Sequence, residues 1–148
     1  MPQTIKIKEP QTPQQFEAYF LVRYQTLREP WNMPPGSEKD EQEDQCIHAM
    51  ACDENENVLG VARLQFNSPE ETQLRYMGVS AKAQGLGIGR MVMEYMEKKA
   101  VEKGSKNMIL QARETAVPFY EKCGYTIREK TFLMWGSIQH YLMEKKLG

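Results

Sequence analysis

Gln84-Gly85-Leu86-Gly87-Ile88-Gly89 places three glycines within five residues, between a strand-like run from Leu74 to Val79 and a helical run from Ile88 to Lys103. A turn so poor in side chains lets successive backbone N–H groups converge on one anion, and the next helix adds the positive end of its dipole. Strand, turn and helix are therefore expected to fold together as a phosphate cradle. Spacing narrows the ligand. The dinucleotide fingerprint G-x-G-x-x-G needs glycine where Arg90 stands, and the nucleotide-triphosphate loop G-x-x-x-x-G-K-[ST] does not occur.

The 148 residues predict one domain, 1–148, with room for a substantial core. Net charge is −1 with the signs mixed along the chain, which predicts no nucleic-acid partner. No apolar run approaches the length of a membrane span, and Met1-Pro2-Gln3-Thr4 has no charged segment leading into an apolar one, so neither a membrane nor export is expected. Cys46, Cys52 and Cys123 have neither C-x-x-C spacing nor an even count, which fits reduced thiols in a cytoplasm and no metal site.

Along the chain, Ile5-Lys6-Ile7 reads as a first strand. Thr12-Pro13-Gln14-Gln15 combines an N-cap, a proline in the first helical position and Gln three residues after the cap, starting a helix that ends before Pro30. Residues 30–45 carry Pro30, Pro34, Pro35 and Gly36, then five acids opposed by Lys39. They read as a solvated loop, or as an acidic lip that draws in a cationic amine. Cys46 to Cys52 and Val58 to Phe66 form a hairpin, and Gln73 to Val79 is a third strand delivering the chain into the cradle. Ile88, Met91, Val92, Tyr95 and Met96 make an apolar stripe on the next helix, which Gly104 stops. A strand at Met108 to Leu110, a helix at Ala116 to Lys122, and strands at Tyr125 to Thr131 and Tyr141 to Lys145 complete a β-α-β-β-β-α-β-α-β-β order. That order predicts a mixed α+β sheet.

Q-x-x-G-x-G at Gln84 to Gly89 resembles the acetyl-CoA pyrophosphate loop of the GNAT N-acetyltransferase superfamily, R/Q-x-x-G-x-G/A. Ala116-Val117-Pro118-Phe119-Tyr120-Glu121-Lys122-Cys123-Gly124-Tyr125 looks like that superfamily's A-x-x-F-Y-E-K-x-G-F/Y signature, one helix and one strand later. Gln111-Ala112-Arg113 and His140 resemble a branch of small bacterial acetyltransferase-like proteins. The likeness spans roughly residues 16–145, with its specific motifs between 73 and 125.

The resemblance implies a GNAT acyl-CoA N-acyltransferase fold, a central, mostly antiparallel twisted sheet flanked by helices. It also implies direct transfer of an acetyl group from acetyl-CoA to a primary amine of a small molecule or peptide. Met77, Gly78 and Val79 would then contact the pantetheine arm through main-chain groups. Gln84, Gly85, Leu86, Gly87, Ile88, Gly89 and Arg90 would hold the pyrophosphate, with Phe119 and Tyr120 beside the arm. Tyr120 matches the family's general acid. Many members place a glutamate base on the strand before the loop, but here it reads Leu74-Arg75-Tyr76-Met77. His48 is the first replacement and His140 the second. Arg23, Arg75 and His140 are candidate acceptor-binding residues, and loops 30–45 and 131–139 are where the family builds its acceptor pockets. The alternative is a non-catalytic acyl-CoA-binding sensor or interaction module. The apolar run Phe132 to Trp135 is a candidate homodimer contact.

Overall fold

The structure is a computed structural model that describes residues 4–148. Seven strands form one sheet in the order β1-β2-β3-β4-β5-β7-β6. They are β1 (Lys6–Lys8), β2 (Ile47–Cys52), β3 (Val58–Phe66), β4 (Glu71–Val79), β5 (Asn107–Arg113), β6 (Thr126–Met134) and β7 (Ile138–Lys146). All neighbours pair antiparallel except β4 and β5. The helices are α1 (Pro13–Leu27), α2 (Ile88–Glu102) and α3 (Val117–Lys122). This is the expected mixed α+β, mostly antiparallel fold.

The start of α1 is set by local chemistry. Thr12 Oγ1 accepts the Gln15 N–H at 3.1 Å, and Gln15 Oε1 accepts the Thr12 N–H at 3.2 Å, so two N–H groups that a helix leaves unpaired are satisfied. α2 lies on one face of the sheet and buries Ile88, Val92, Met93, Met96 and Ala100 against Ala49, Ala62, Leu64, Leu74 and Leu110. The buried stripe is rotated slightly from the expected one, leaving Met91 and Tyr95 half-buried. Full burial of each large side chain stabilises the fold by about 1.5–3 kcal/mol. α1 covers the other face through Tyr19 and Val22, on Met50, Cys52 and Val61. It can sit close because β4 offers Gly78: a Cβ there would stand 2.1 Å from Thr26 Oγ1. That approach carries the end of α1, with Arg28, to the middle of the sheet.

Two irregularities of β4 break the regular pairing of the sheet on either side of it. Its parallel pairing with β5 runs from Glu71↔Asn107 only to Leu74↔Leu110, so the strands part beyond that point. On its other side, Val61↔Gly78 and Arg63↔Arg75 bracket Ala62 alone on β3 but both Tyr76 and Met77 on β4. This is a β-bulge, and Tyr76 adopts the left-handed region at φ 53. A bulky residue there is strained by about 1–3 kcal/mol.

Residues 30–45 differ from both sequence readings. Arg23 and Arg63 are each 0% exposed and draw the acids inward. Arg63 donates to both Asp40 oxygens, at 2.6 and 3.0 Å, and Arg23 donates to Glu43 at 2.8 Å. The two carboxylates thus neutralise buried guanidiniums under the loop instead of forming a free lip. The Arg63 hydrogen bonds hold the Asp40 carboxyl down to about 2. A carboxyl depressed below its unfolded value, about 3.9, contributes stability that is complete above that value and fades as pH falls toward the folded one. Asp40→Ala is expected to lower the melting temperature by about 10 °C near neutral pH, from roughly 3 kcal/mol lost around a buried arginine. The wild type should converge on the variant between pH about 4 and about 2. Equal melting temperatures at pH 7 would remove the pair from the loop's support.

Candidate functional site

A cavity of about 620 Å³ opens where β4 and β5 part. Because the gap passes between two strands, its walls come from both faces of the sheet. From the α2 face come Ile88, Gly89, Ala116, Phe119 and Tyr120; from the α1 face come Arg28, Trp31, Arg75, Tyr76, Arg113 and His140. It is a slot through the sheet, lined by two chemically different ends.

At the α2 end, Gly85 and Gly87 take φ of 83 and 74, conformations that L side chains rarely adopt. Backbone N–H groups from Gly85 to Arg90 have no acceptor among the described residues, and the first helical hydrogen bond runs from Met91 N–H to Gly87 O. Six consecutive donors at a helix N-terminus form an anion cradle, and a Cβ on Gly87 would meet nothing within 4 Å. The cradle therefore fits a pyrophosphate. Gln84 donates its side-chain amide to Val79 O at 3.1 Å, which ties the turn to the end of β4. Arg90 is exposed at the helix start with Glu94 at 3.5 Å, and the Leu86 side chain points to solvent, 47% exposed. Along the slot, the edges of Met77, Gly78 and Val79 toward β5 have no strand partner.

Phe119 packs its ring over Gly89, and Tyr120 lies next to it with the ring centroids 5.0 Å apart. The Tyr120 hydroxyl donates to Met77 Sδ at 3.6 Å. Burial pushes this phenol up to about 12, so it remains a proton-carrying donor near neutral pH.

The two histidines separate cleanly. His48, the first candidate base, lies under α1 and outside the cavity. Its Nε2–H donates to Glu43 O at 2.7 Å, its Nδ1 meets the Tyr19 hydroxyl at 2.8 Å, and burial presses its pKa below the ordinary value. Every polar atom of that ring is committed to holding α1, the acidic loop and the sheet together. Arg23 is corrected in the same way, since its guanidinium is consumed by Glu43, Glu38 O and the Tyr19 hydroxyl. His140 does line the cavity. It stands opposite Arg113 in the β5–β7 register, so both project from the same face. Its Nδ1 lies 3.0 Å from Ile138 O, and a carbonyl only accepts, so Nδ1 carries the hydrogen, and in the neutral ring Nε2 is the basic nitrogen. Phe132 stacks on the ring at 4.4 Å. Arg75 reaches the rim, with Asp40 at 3.6 Å.

Sequence reasoning gave no site role of their own to Tyr76, Arg28, Trp31 or Trp135, and Trp135 entered it only in the run read as a candidate homodimer contact. Trp31 and Trp135, from residues 30–45 and 131–139, approach each other to 5.9 Å at the cavity wall. β6 and β7 are longer than expected and meet in a turn whose central residues, Trp135 and Gly136, take φ of 51 and 73. Two strained aromatics, Tyr76 and Trp135, thus face one cavity.

A mostly antiparallel sheet parted between its parallel strands, with an N–H cradle at the parting, defines the acyl-CoA N-acyltransferase class. A Pseudomonas aeruginosa acyl-CoA N-acyltransferase superposes with a TM-score of 0.80 at 20% identity, over 97% of this chain and 99% of that one. An aminoglycoside 6'-N-acetyltransferase solved with coenzyme A gives 0.78 at 16% identity, over 97% and 96%. These likenesses concern the fold. The acetyltransferase (GNAT) family model matches residues 12–125, and the chain belongs to that family. It is also 33% identical over 133 residues to the Bacillus subtilis (strain 168) protein called uncharacterized N-acetyltransferase YjcF, covering 89% of this chain and 93% of that one.

Proposed function

We propose that the protein transfers an acetyl group from acetyl-CoA to the primary amine of a small molecule or peptide by direct attack. The observation that carries this reading is the slot through the sheet, with six unpaired N–H groups at one end and the His140 imidazole at the other. Acetyl-CoA supplies the activated acyl group as a thioester. Gly85 to Arg90 bind its pyrophosphate through N–H groups, with the Arg90 guanidinium adding positive charge. The main-chain edge of Met77, Gly78 and Val79 toward β5, apart from the Val79 O that accepts from Gln84, pairs with the amide-rich pantetheine arm, and an N–H there polarises the acyl carbonyl. Tyr120 gives its hydroxyl hydrogen to the departing sulfur in place of Met77 Sδ. His140 Nε2 takes the proton that the amine must lose.

The lack of an acid in the last part of β4, from Leu74 to Val79, favours a sensor without turnover; His140 supplies the base which that alternative takes to be missing. Two measurements on the intact chain decide between them, calorimetric titration with acetyl-CoA and thiol release against a panel of amines. Binding with release on any amine is the expected result. Binding without release on every amine would favour the sensor, and absence of binding would sink both. Tyr120→Phe is expected to leave acetyl-CoA affinity unchanged and slow turnover about 10–100-fold. With the phenol held near about 12, the wild type should show no alkaline decline traceable to Tyr120 below pH roughly 10. Undiminished turnover in the Phe variant would remove it from the acid role.

A further inference from the structure

We propose that the acceptor is a small amine carrying an anionic group, held by Arg28 and Arg113 beside the paired tryptophans, with its amine directed to His140. This rests on the acetyl-transfer reading and names the substrate class of the same site. The first observation is the sign of the walls. Four arginines, Arg28, Arg75, Arg90 and Arg113, line the cavity, and no Asp or Glu does. The chain as a whole carries 20 acids against 19 Lys and Arg, so the imbalance belongs to the cavity and not to the composition. Arg90 stands at the cradle end; the other three stand at the end of His140.

The second observation is how these guanidiniums are satisfied. Arg75 is partly neutralised by Asp40 at 3.6 Å. Arg28 donates only to the Ser37 and Leu27 carbonyls, at 3.1 and 3.0 Å, and has no ion-pair partner among the described residues. It is half-buried, and that burial, reinforced by Arg75 and Arg23 nearby, lowers its pKa despite the opposing influence of Tyr76 and of the Glu38 carboxylate. The Arg113 guanidinium has neither a hydrogen bond nor an ion pair among the described residues and lies over the Trp31 ring. The neighbouring acids are engaged elsewhere: Glu38 accepts the Gly36 N–H at 2.8 Å, and Glu114 accepts the Tyr141 hydroxyl at 3.0 Å. Arg28, half-buried and without an ion-pair partner, is a vacant half of an ion pair, Arg113 adds a second, exposed guanidinium, and the planar fork of each matches a carboxylate or phosphate.

The third observation is the layering that holds the two arginines apart. Arg113 lies over the Trp31 ring at 5.6 Å, Trp31 meets Trp135 at 5.9 Å, and Arg28 lies over Trp135 at 5.4 Å. Trp135 reaches this position only through its left-handed backbone. Aromatics with cations on both sides favour acceptors with one negative end and one amine. A polyamine or a multiply cationic sugar would meet three arginines and no acid.

The chain contains two tryptophans, and both line this site, so their fluorescence reports acceptor binding whether or not turnover occurs. The experiment titrates the acetyl-CoA-loaded protein, after calorimetry has established loading, with α-amino acids, their carboxamides, O-phosphoethanolamine, ethanolamine and spermidine. Thiol release is then measured for every ligand that binds. At least one anionic amine is expected to bind and turn over about tenfold or more better than its uncharged counterpart. Arg113→Gln, an exposed position, should cut that preference about tenfold without changing acetyl-CoA affinity; Arg28→Gln is the second variant. Preference for phosphoethanolamine over every carboxylate would support the anionic class with phosphate as its source. Carboxamides or spermidine binding as well as the anionic amines would overturn the proposal, as would loaded protein that responds to no anionic amine; either leaves acetyl transfer standing. Failure of acetyl-CoA to bind would overturn both readings.

Discussion

Gly87→Glu is expected to abolish acetyl-CoA binding, a loss of more than about 100-fold in affinity, while the protein still folds. Gly87 is the residue from which α2 starts, at φ 74, and its N–H lies in the middle of the six unpaired donors. A carboxylate there puts negative charge where the pyrophosphate must sit, and it can itself occupy the N–H groups. The backbone strain of a side chain at this φ is about 1–2 kcal/mol. No atom lies within 4 Å of the new Cβ, so no packing clash adds to that strain. Calorimetry for binding and circular dichroism for folding separate the two effects. Tight binding by a folded variant would refute the cradle.

His140→Gln is expected to lower kcat about 10²–10⁴-fold, the range associated with losing a positioned base, with acetyl-CoA affinity changed less than about twofold. Glutamine retains a polar side chain of similar reach beside Ile138 O but has no basic nitrogen. A rise in acceptor KM alone, with kcat preserved, would reassign His140 to holding the acceptor. Unchanged kcat and KM would leave transfer to a solvent-assisted route and take His140 out of the mechanism.

Sequence alone was sufficient wherever the deciding forces act within a few residues. The cap at Thr12, the glycine turn before α2, the stop at Gly104 and the turn between β2 and β3 are local chemistry, and the ordered elements arise from them. The two GNAT-like motifs belong to the same category, since turn, helix start and the Phe119-Tyr120 pair are each contiguous.

What the tertiary structure decided is which chemically plausible residue meets which. His48 and His140 are equivalent as letters in two strands. Only strand register and the position of α1 send one into a closed network with Tyr19 and Glu43 and the other into the cavity. Asp40 and Glu43 became counterions because residues 30–45 fold back onto Arg63 and Arg23, partners 23 and 20 residues away. Tyr76 and Trp135 carry no local signal, because intrinsic preference opposes a positive φ for a bulky side chain. Packing around them imposes it. Local propensity therefore determined the elements and the cradle of this protein. The charge and the basic end of its cavity were determined by contacts between segments far apart in sequence, whose energies exist only once the sheet has closed around them.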